Sequence, residues 1–90
     1  MYEQVWTSRF RRDIRRCERQ NKPLDKFKEI ARLLSAGEFL PPQNCDHNLT
    51  GNYTNHRECH ISPDWLLVYR INKDKKVIEF VRTGSHSDLF

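Results

Sequence analysis

The sequence predicts an α+β fold, with two N-terminal helices packed on a small, mainly antiparallel sheet. Three observations carry this expectation. Apolar residues recur at helical spacing as far as Leu34, the period then changes to that of strands, and the links between those strands are short enough to require antiparallel pairing. A chain of 90 residues suffices for one modest core, so one domain over residues 1–90 is expected. With 37% apolar and 31% charged residues and no long apolar run, the composition excludes a helical membrane span and a collagen-like chain.

Tyr2 to Trp6 alternates weakly and reads as a short first strand. Thr7 or Ser8 then offers a hydroxyl to cap a helix beginning near Arg9. In that helix Phe10, Ile14 and Cys17 fall on one inward stripe, which leaves Arg11, Arg12, Arg15, Arg16 and Arg19 for the outside. Asn21-Lys22-Pro23 ends it, because Pro disfavours a helical conformation in the residue before it. Leu24, Phe27, Ile30, Ala31 and Leu34, joined by Leu33, form a wider stripe suited to a second helix buried against a sheet, with Gly37 placed to terminate it. Glu38 to Tyr53 carries Pro41-Pro42, several Asn and Gly51, and reads as a long connection without regular structure. Connections of this length in compact domains are often functional. Strands follow at Tyr53 to Ile61, Trp65 to Ile71 and Val77 to Thr83, the last two joined by a turn over Asn72 to Lys76. Trp65-Leu66-Leu67-Val68-Tyr69 is apolar on both faces, which places that strand centrally in the sheet.

Charge is distributed unevenly. Between Met1 and Lys22 six Arg and one Lys outweigh three carboxylates and supply all of the net +4, since the rest of the chain balances nine basic against nine acidic residues. Such a stretch suits nucleic-acid phosphate or an acidic partner, with a solvated helix face as the alternative. Cys17, Cys45 and Cys59 are an odd count without repeated spacing, which speaks against a disulfide framework and for a reducing compartment. The opening Met1-Tyr2-Glu3-Gln4-Val5-Trp6 lacks the basic and then apolar segments of a secretory leader, so a cytoplasmic location is expected.

Residues of catalytic type gather at the strand ends. His47 lies in the long connection, Glu58 and His60 near the end of one strand, Asp64 just beyond it, Arg82 near the end of the last strand and His86 in the tail. A phosphodiester cleaved by its own 2′-hydroxyl needs a base for that hydroxyl, an acid for the departing 5′-oxygen and cationic donors for the charge building on phosphorus. Histidine as a residue type exchanges protons near neutral pH, and arginine presents a fixed fork to phosphate. Each residue alone also has a plain reading: solvated histidines, a turn-forming Asp64 after Pro63, a solvent-facing Arg82. Cys45, His47, Cys59 and His60 are metal-ligand types but lack the spacing of structural zinc sites. Neighbours on a strand face opposite ways, so Cys59 is placed towards the core and His60 on the other face, and no metal is assigned. Composition and spacing stop at an RNA-binding or RNA-cleaving α+β domain.

The second half carries several ordered blocks: Asp46-His47-Asn48-Leu49, Gly51-Asn52-Tyr53, Arg57-Glu58-Cys59-His60-Ile61, Pro63-Asp64-Trp65-Leu66-Leu67-Val68-Tyr69 and Arg82-Thr83-Gly84-Ser85-His86-Ser87-Asp88-Leu89-Phe90. Together they resemble the YafQ branch of the RelE/ParE-like toxins of bacterial type II toxin–antitoxin systems. The first half is similar only in pattern. The resemblance implies a RelE-like microbial ribonuclease fold and a metal-independent endoribonuclease, an mRNA interferase that enters the ribosomal A site and cuts translated mRNA by 2′-hydroxyl attack. By position it implies catalytic roles for His47, His60, Asp64 and His86, a phosphate-stabilising Arg82 and an mRNA-holding Phe90. Within that set His86 is read as general acid and Asp64 as general base, with His47 and His60 orienting the nucleotide; a base role for His47 stays open. Trp65 is read as a packing residue. Glu58 is a weak candidate for supporting His60.

The resemblance also gives the basic helix a use, since Arg11, Arg12, Arg15, Arg16 and Arg19 would supply sequence-independent affinity for RNA phosphate. Implied partners are a cognate antitoxin of the DinJ or RelB kind, the 70S ribosome with its rRNA, and mRNA. DNA would be reached only through the antitoxin. No cofactor and no membrane are expected. The competing reading is a catalytically silent RNA- or partner-binding module of the same fold. A repressor acting alone would need a recognition helix, and the sequence has no such motif.

Overall fold

The computed structural model describes residues 1–90. Local signals place the two long helices where the apolar pattern puts them. The Thr7 hydroxyl accepts the Phe10 amide at 3.0 Å and caps α1 (Ser8–Arg19). Asn21, at φ 60°, turns the chain into Pro23 and α2 (Leu24–Ser35), which ends before Gly37 at φ 74°.

The five strands are β1 (Glu3–Trp6), β2 (His47–Asn48), β3 (Arg57–Ser62), β4 (Trp65–Asn72) and β5 (Val77–Gly84), ordered β1-β5-β4-β3-β2 in one sheet. β2, β3, β4 and β5 pair antiparallel, as their short links require, while β1 lies parallel to β5. β4 is central, in agreement with its two apolar faces. Trp65, Leu67 and Tyr69 turn towards the helices, where they join Phe10, Cys17, Phe27, Ile30, Ala31, Leu34, Cys59, Ile61, Ile78 and Phe80 in the main core. Trp6, Phe10, Phe27 and Phe80 form a ring cluster there with centroids 5.1–5.8 Å apart. Each fully buried side chain of this kind contributes about 1.5–3 kcal/mol. Leu66 and Val68 turn the other way and meet Leu89, Leu49, Tyr53 and Val81 in a smaller cluster on the opposite face.

Two expectations need correction, and the tail, which the sequence left unassigned, takes a structure of its own. The strand predicted from Tyr53 begins only at Arg57, because Gly51–Tyr53 winds into a 3₁₀ turn and Asn55 takes φ 70°. The long connection is not without structure, since it holds a second 3₁₀ turn at Pro42–Asn44 and the two-residue strand β2. The tail is a short helix, α3 (His86–Leu89), closed by a capping box in which Ser85 and Asp88 exchange side-chain and amide bonds.

A third correction concerns α1. β1 stops pairing at Trp6 opposite Phe80, which leaves the edge of β5 without a strand partner beyond that point. Side chains of α1 and its cap stand in for it. The Thr7 hydroxyl donates to the Val81 carbonyl, Asp13 accepts the Thr83 amide, and Arg16 Nη2 donates to the Thr83 carbonyl at 2.8 Å. Arg16 therefore turns towards the sheet, where Asp13 and Asp88 also meet it. It does not join Arg11, Arg12, Arg15 and Arg19 on the exposed side. No helix is long and apolar enough to cross a membrane.

Candidate active site

The face of the sheet away from α1 and α2 collects the polar residues. On β3, Cys59 and Ile61 enter the main core, so Glu58 and His60 point to the opposite side, as strand alternation requires. On β5 a bulge opposite Val68 and Tyr69 changes the phase. Val81 and Arg82 both emerge on the polar face, between Phe80 and Thr83, which face the helices. Thr83 is held by Trp65, whose indole N–H donates to its hydroxyl at 2.8 Å; that hydroxyl donates in turn to the Leu66 carbonyl. Trp65, 1% exposed, is thus a packing residue as expected.

His86 opens α3, and the capping box with buried Leu89 beneath it brings its ring to 6.2 Å from that of His60. Phe90 follows at 6.2 Å from His86 and 5.8 Å from Tyr53, and keeps 58% of its surface exposed. Beside it runs an open groove of about 580 Å³ lined by Arg9, Thr50, Asn52, Tyr53, Arg82, Leu89 and Phe90. The structure therefore links His60, His86 and Phe90 through their rings and sets Arg82 beside Phe90 on the groove. His47 lies at the β2 edge of the sheet, paired across the ladder with Glu58. Its Nδ1 is 2.7 Å from the Cys45 carbonyl oxygen and its Nε2 is 3.4 Å from Glu58 Oε1. Glu58, 4% exposed, thus serves His47 and not His60. Asp64 stands exposed in the turn between β3 and β4, beside the Pro63 carbonyl that lies 3.3 Å from His60 Nδ1.

Arg82 is fixed before any substrate arrives. Its Nε and Nη2 donate to Asp13 at 2.6 and 3.2 Å, and this bond is the main reason its pKa lies above the usual arginine value. Asp13 is 3% exposed. Burial pushes its carboxyl up, but hydrogen bonds from Arg82 and the Thr83 amide, the charge of Arg82 and a bond from Arg16 outweigh this and hold it below the carboxylate range. Asp13 is absent from the residues singled out by sequence, although a carboxylate on the inward stripe between Phe10 and Cys17 signals a buried ion pair. Tyr53 and Arg9 join the lining of the groove as well; nothing in their local spacing marks them. Of the helix arginines, Arg11 lies 5.8 Å over the Trp6 ring, towards β1, and Arg12, Arg15 and Arg19 are exposed.

All three cysteines are free, with Cys17 and Cys59 buried and Cys45 exposed. Burial pushes the Cys17 and Cys59 thiols up, which makes both unreactive packing residues. No three His, Cys, Asp or Glu side chains group closely enough to hold a metal ion.

Residues 2–90 match the family described as the bacterial toxin of type II toxin–antitoxin system, YafQ. The chain belongs to the YafQ toxin family. The mRNA interferase toxin YafQ of Escherichia coli strain K12 is 31% identical over 86 residues, which span 94% of this chain and 91% of that protein. Among solved YafQ-like structures, YafQ from E. coli strain BL21(DE3) superposes with a TM-score of 0.92 at 28% identity, covering 100% of this chain and 99% of its own. A metal-bound toxin from Helicobacter pylori gives 0.94 at 34% identity, with full coverage of both chains. The toxin of an E. coli DinJ–YafQ complex gives 0.90 at 30% identity, over 100% of this chain and 99% of that one. The α+β, RelE-like architecture expected from the sequence is thus the architecture of the YafQ family.

Proposed function

We propose that this chain is an mRNA interferase that cleaves translated mRNA in the ribosomal A site by metal-independent 2′-hydroxyl attack, and so inhibits translation. The observation that carries the reading is the run of rings from His60 through His86 to Phe90, where Phe90 lines one groove together with Tyr53 and an Arg82 already held by Asp13. A base, an acid and a preorganised cation are what transesterification of a phosphodiester requires. Asp64 accepts the 2′-hydroxyl proton, the 2′-oxygen attacks phosphorus, and His86 returns a proton to the departing 5′-oxygen. Arg82 and His60 stabilise the negative charge on the phosphoryl oxygens, and His47 orients the nucleotide. Asp13 takes one side of the Arg82 fork and leaves the groove side for the phosphate.

Phe90 offers a ring face to the message, and Arg11, Arg12, Arg15 and Arg19 contact ribosomal RNA phosphates. Arg16, committed to Asp13 and the Thr83 carbonyl, supports the fold beneath them. The complex of the E. coli relative with DinJ supports a cognate antitoxin of the DinJ or RelB kind as the restraining partner. That antitoxin would carry any DNA contact. Action on translating ribosomes places the protein in the cytoplasm.

Mapping of 5′ ends on a message, presented free and on 70S ribosomes, tests the reading, with the protein stripped of metal by a chelator and desalted before it meets the ribosomes. Cuts on ribosome-bound message that the stripped protein makes as fast as the untreated one, and that vanish in the Asp64→Ala/His86→Ala double mutant, are expected. Equal cutting of free and bound message would remove ribosome dependence. Binding to ribosomes without cuts would replace the enzyme by a silent binding module.

A further inference from the structure

β2 contributes two residues to the sheet, His47 and Asn48, and forms its outer edge. A two-residue ladder is a poor way to fix a side chain, and edge strands fray readily. His47 is nevertheless held from both flanks by residues of the opposite sheet face. Arg57, next to Glu58 on β3 and pointing the other way, reaches the residue before His47 and the residue after it. Its Nη1 donates to Asn48 Oδ1 at 2.7 Å, while its Nη2 lies 3.2 Å from Asp46 Oδ2 and its Nε 3.3 Å from Asp46 Oδ1. The Tyr69 hydroxyl, reaching out from the main core, donates to the same Asp46 Oδ1. Tyr69 itself is 1% exposed and pairs with Arg57 across β3 and β4.

We propose that Tyr69, Asp46 and Arg57 form a clamp that positions His47 against the substrate, and that they are positioning residues for the cleavage reaction. None of the three faces the groove beside Arg82. Their bonds run to the residues flanking His47, and so transmit the rigidity of the central strand to the sheet edge. The bond to Asp46 raises the Arg57 pKa, and burial with the bond to Asp46 raises that of Tyr69, so the clamp keeps its donor protons across the working pH range. A catalytic group displaced by about 1 Å can lose on the order of a hundredfold in rate, which leaves room for a clamp to matter. The inference rests on the reading of His47 as part of the active site.

The test is a mutant cycle on ribosome-dependent cleavage with His47→Ala, Tyr69→Phe and the double mutant, with Arg57→Lys as a second variant. Tyr69→Phe keeps the buried ring and removes only the hydroxyl. We expect it to lower kcat on the order of tenfold with KM within about twofold, and to add no further loss once His47 is alanine. Arg57→Lys, which keeps the charge but cannot bridge Asp46 and Asn48, should behave in the same way. In NMR spectra of the free protein the His47 ring signals should shift or broaden in Tyr69→Phe while those of His60 and His86 hold. Equal fold losses in both backgrounds would mean a general structural effect and would overturn the clamp. Wild-type kcat in Tyr69→Phe with unchanged His47 signals would do the same. Wild-type cleavage by His47→Ala alone would instead remove His47 from the active site, and the clamp's purpose with it.

Discussion

Asp13→Ala removes a carboxylate that is 5% exposed at its side chain and answers Arg82 Nε and Nη2, Arg16 Nη1 and the Thr83 amide. Deleting one partner of a buried ion pair costs about 3–5 kcal/mol, because the other charge is left uncompensated. Arg82, 11% exposed, is stranded in this way, whereas Arg16 is 28% exposed and keeps the Thr83 carbonyl and Asp88. The lower end, about 3 kcal/mol, is therefore expected. At about 4–8 °C per kcal/mol for a domain of this size, Tm should fall by roughly 12–24 °C. Urea unfolding followed by the fluorescence of Trp6 and Trp65 measures the loss. Its pH dependence supplies a second check. Folding lowers the Asp13 pKa below its ordinary 3.8, so the stabilisation is fully present above that value and is lost as pH falls towards and through the folded one. The gap between wild type and Asp13→Ala should narrow on acidification. A gap under about 1 kcal/mol at neutral pH, the size of an exposed pair, would refute the buried network.

Thr83→Val keeps the shape of a fully buried side chain but leaves the Trp65 indole N–H without its acceptor, and should cost about 1–3 kcal/mol in urea unfolding. Gly84→Ala places a Cβ 2.5 Å from Arg16 Nη2 and 3.0 Å from the Asp88 side chain at φ 155°; thermal unfolding should show a loss of about 1–3 kcal/mol. Because Gly84 precedes the turn into α3, cleavage by its folded fraction should fall as well, through displacement of His86. Replacing the exposed Arg12, Arg15 and Arg19 by Gln should leave stability within about 0.5 kcal/mol. In ribosome sedimentation across a salt series it should flatten the salt dependence of binding, by about one unit of slope for each phosphate that the variant no longer neutralises.

The helices and the central strand were legible because their signals are local. Phe10, Cys17, Phe27, Ile30, Ala31 and Leu34 fall at helical spacing, Thr7 and Gly37 mark ends, and Trp65 to Tyr69 is apolar on both faces. The parallel docking of β1 beside β5 was not legible, since it joins the two ends of the sequence and no short-range pattern encodes it. The same holds for β2, two residues long and defined only by its partner strand at Arg57 and Glu58. The ordered blocks of the sequence had marked His60, His86, Arg82 and Phe90; in the structure rings link His60 to His86 and His86 to Phe90, and Phe90 and Arg82 line one groove. What those blocks did not reveal is which carboxylate meets which partner side chain. Glu58 meets His47 across a ladder and not its near neighbour His60, and Asp13 meets Arg82 from the far end of the chain. Such pairings are set by register and helix docking, which act after the local choices are made.

The pairing of Asp13 with Arg82 also ties the chemistry to the fold. One oxygen of Asp13 accepts both the Arg82 Nε proton and the Thr83 amide, so the group that aims the Arg82 side chain also satisfies the open edge of β5. α1 takes the place of a missing strand there because its inward stripe carries a carboxylate among the apolar residues, beside the cap hydroxyl of Thr7 and the guanidinium of Arg16. In consequence Arg82→Ala is an unsafe probe of phosphate binding: it leaves Asp13 buried with Arg16 as its one remaining arginine, and activity would fall with stability. Arg82→Lys keeps a charge beside Asp13 but gives up the fixed fork. If Arg82 stabilises the charge on phosphorus, the lysine variant should fold with near wild-type stability yet cleave more slowly at saturating ribosomes. If Arg82 only closes the edge of β5, rate and folded fraction should move together.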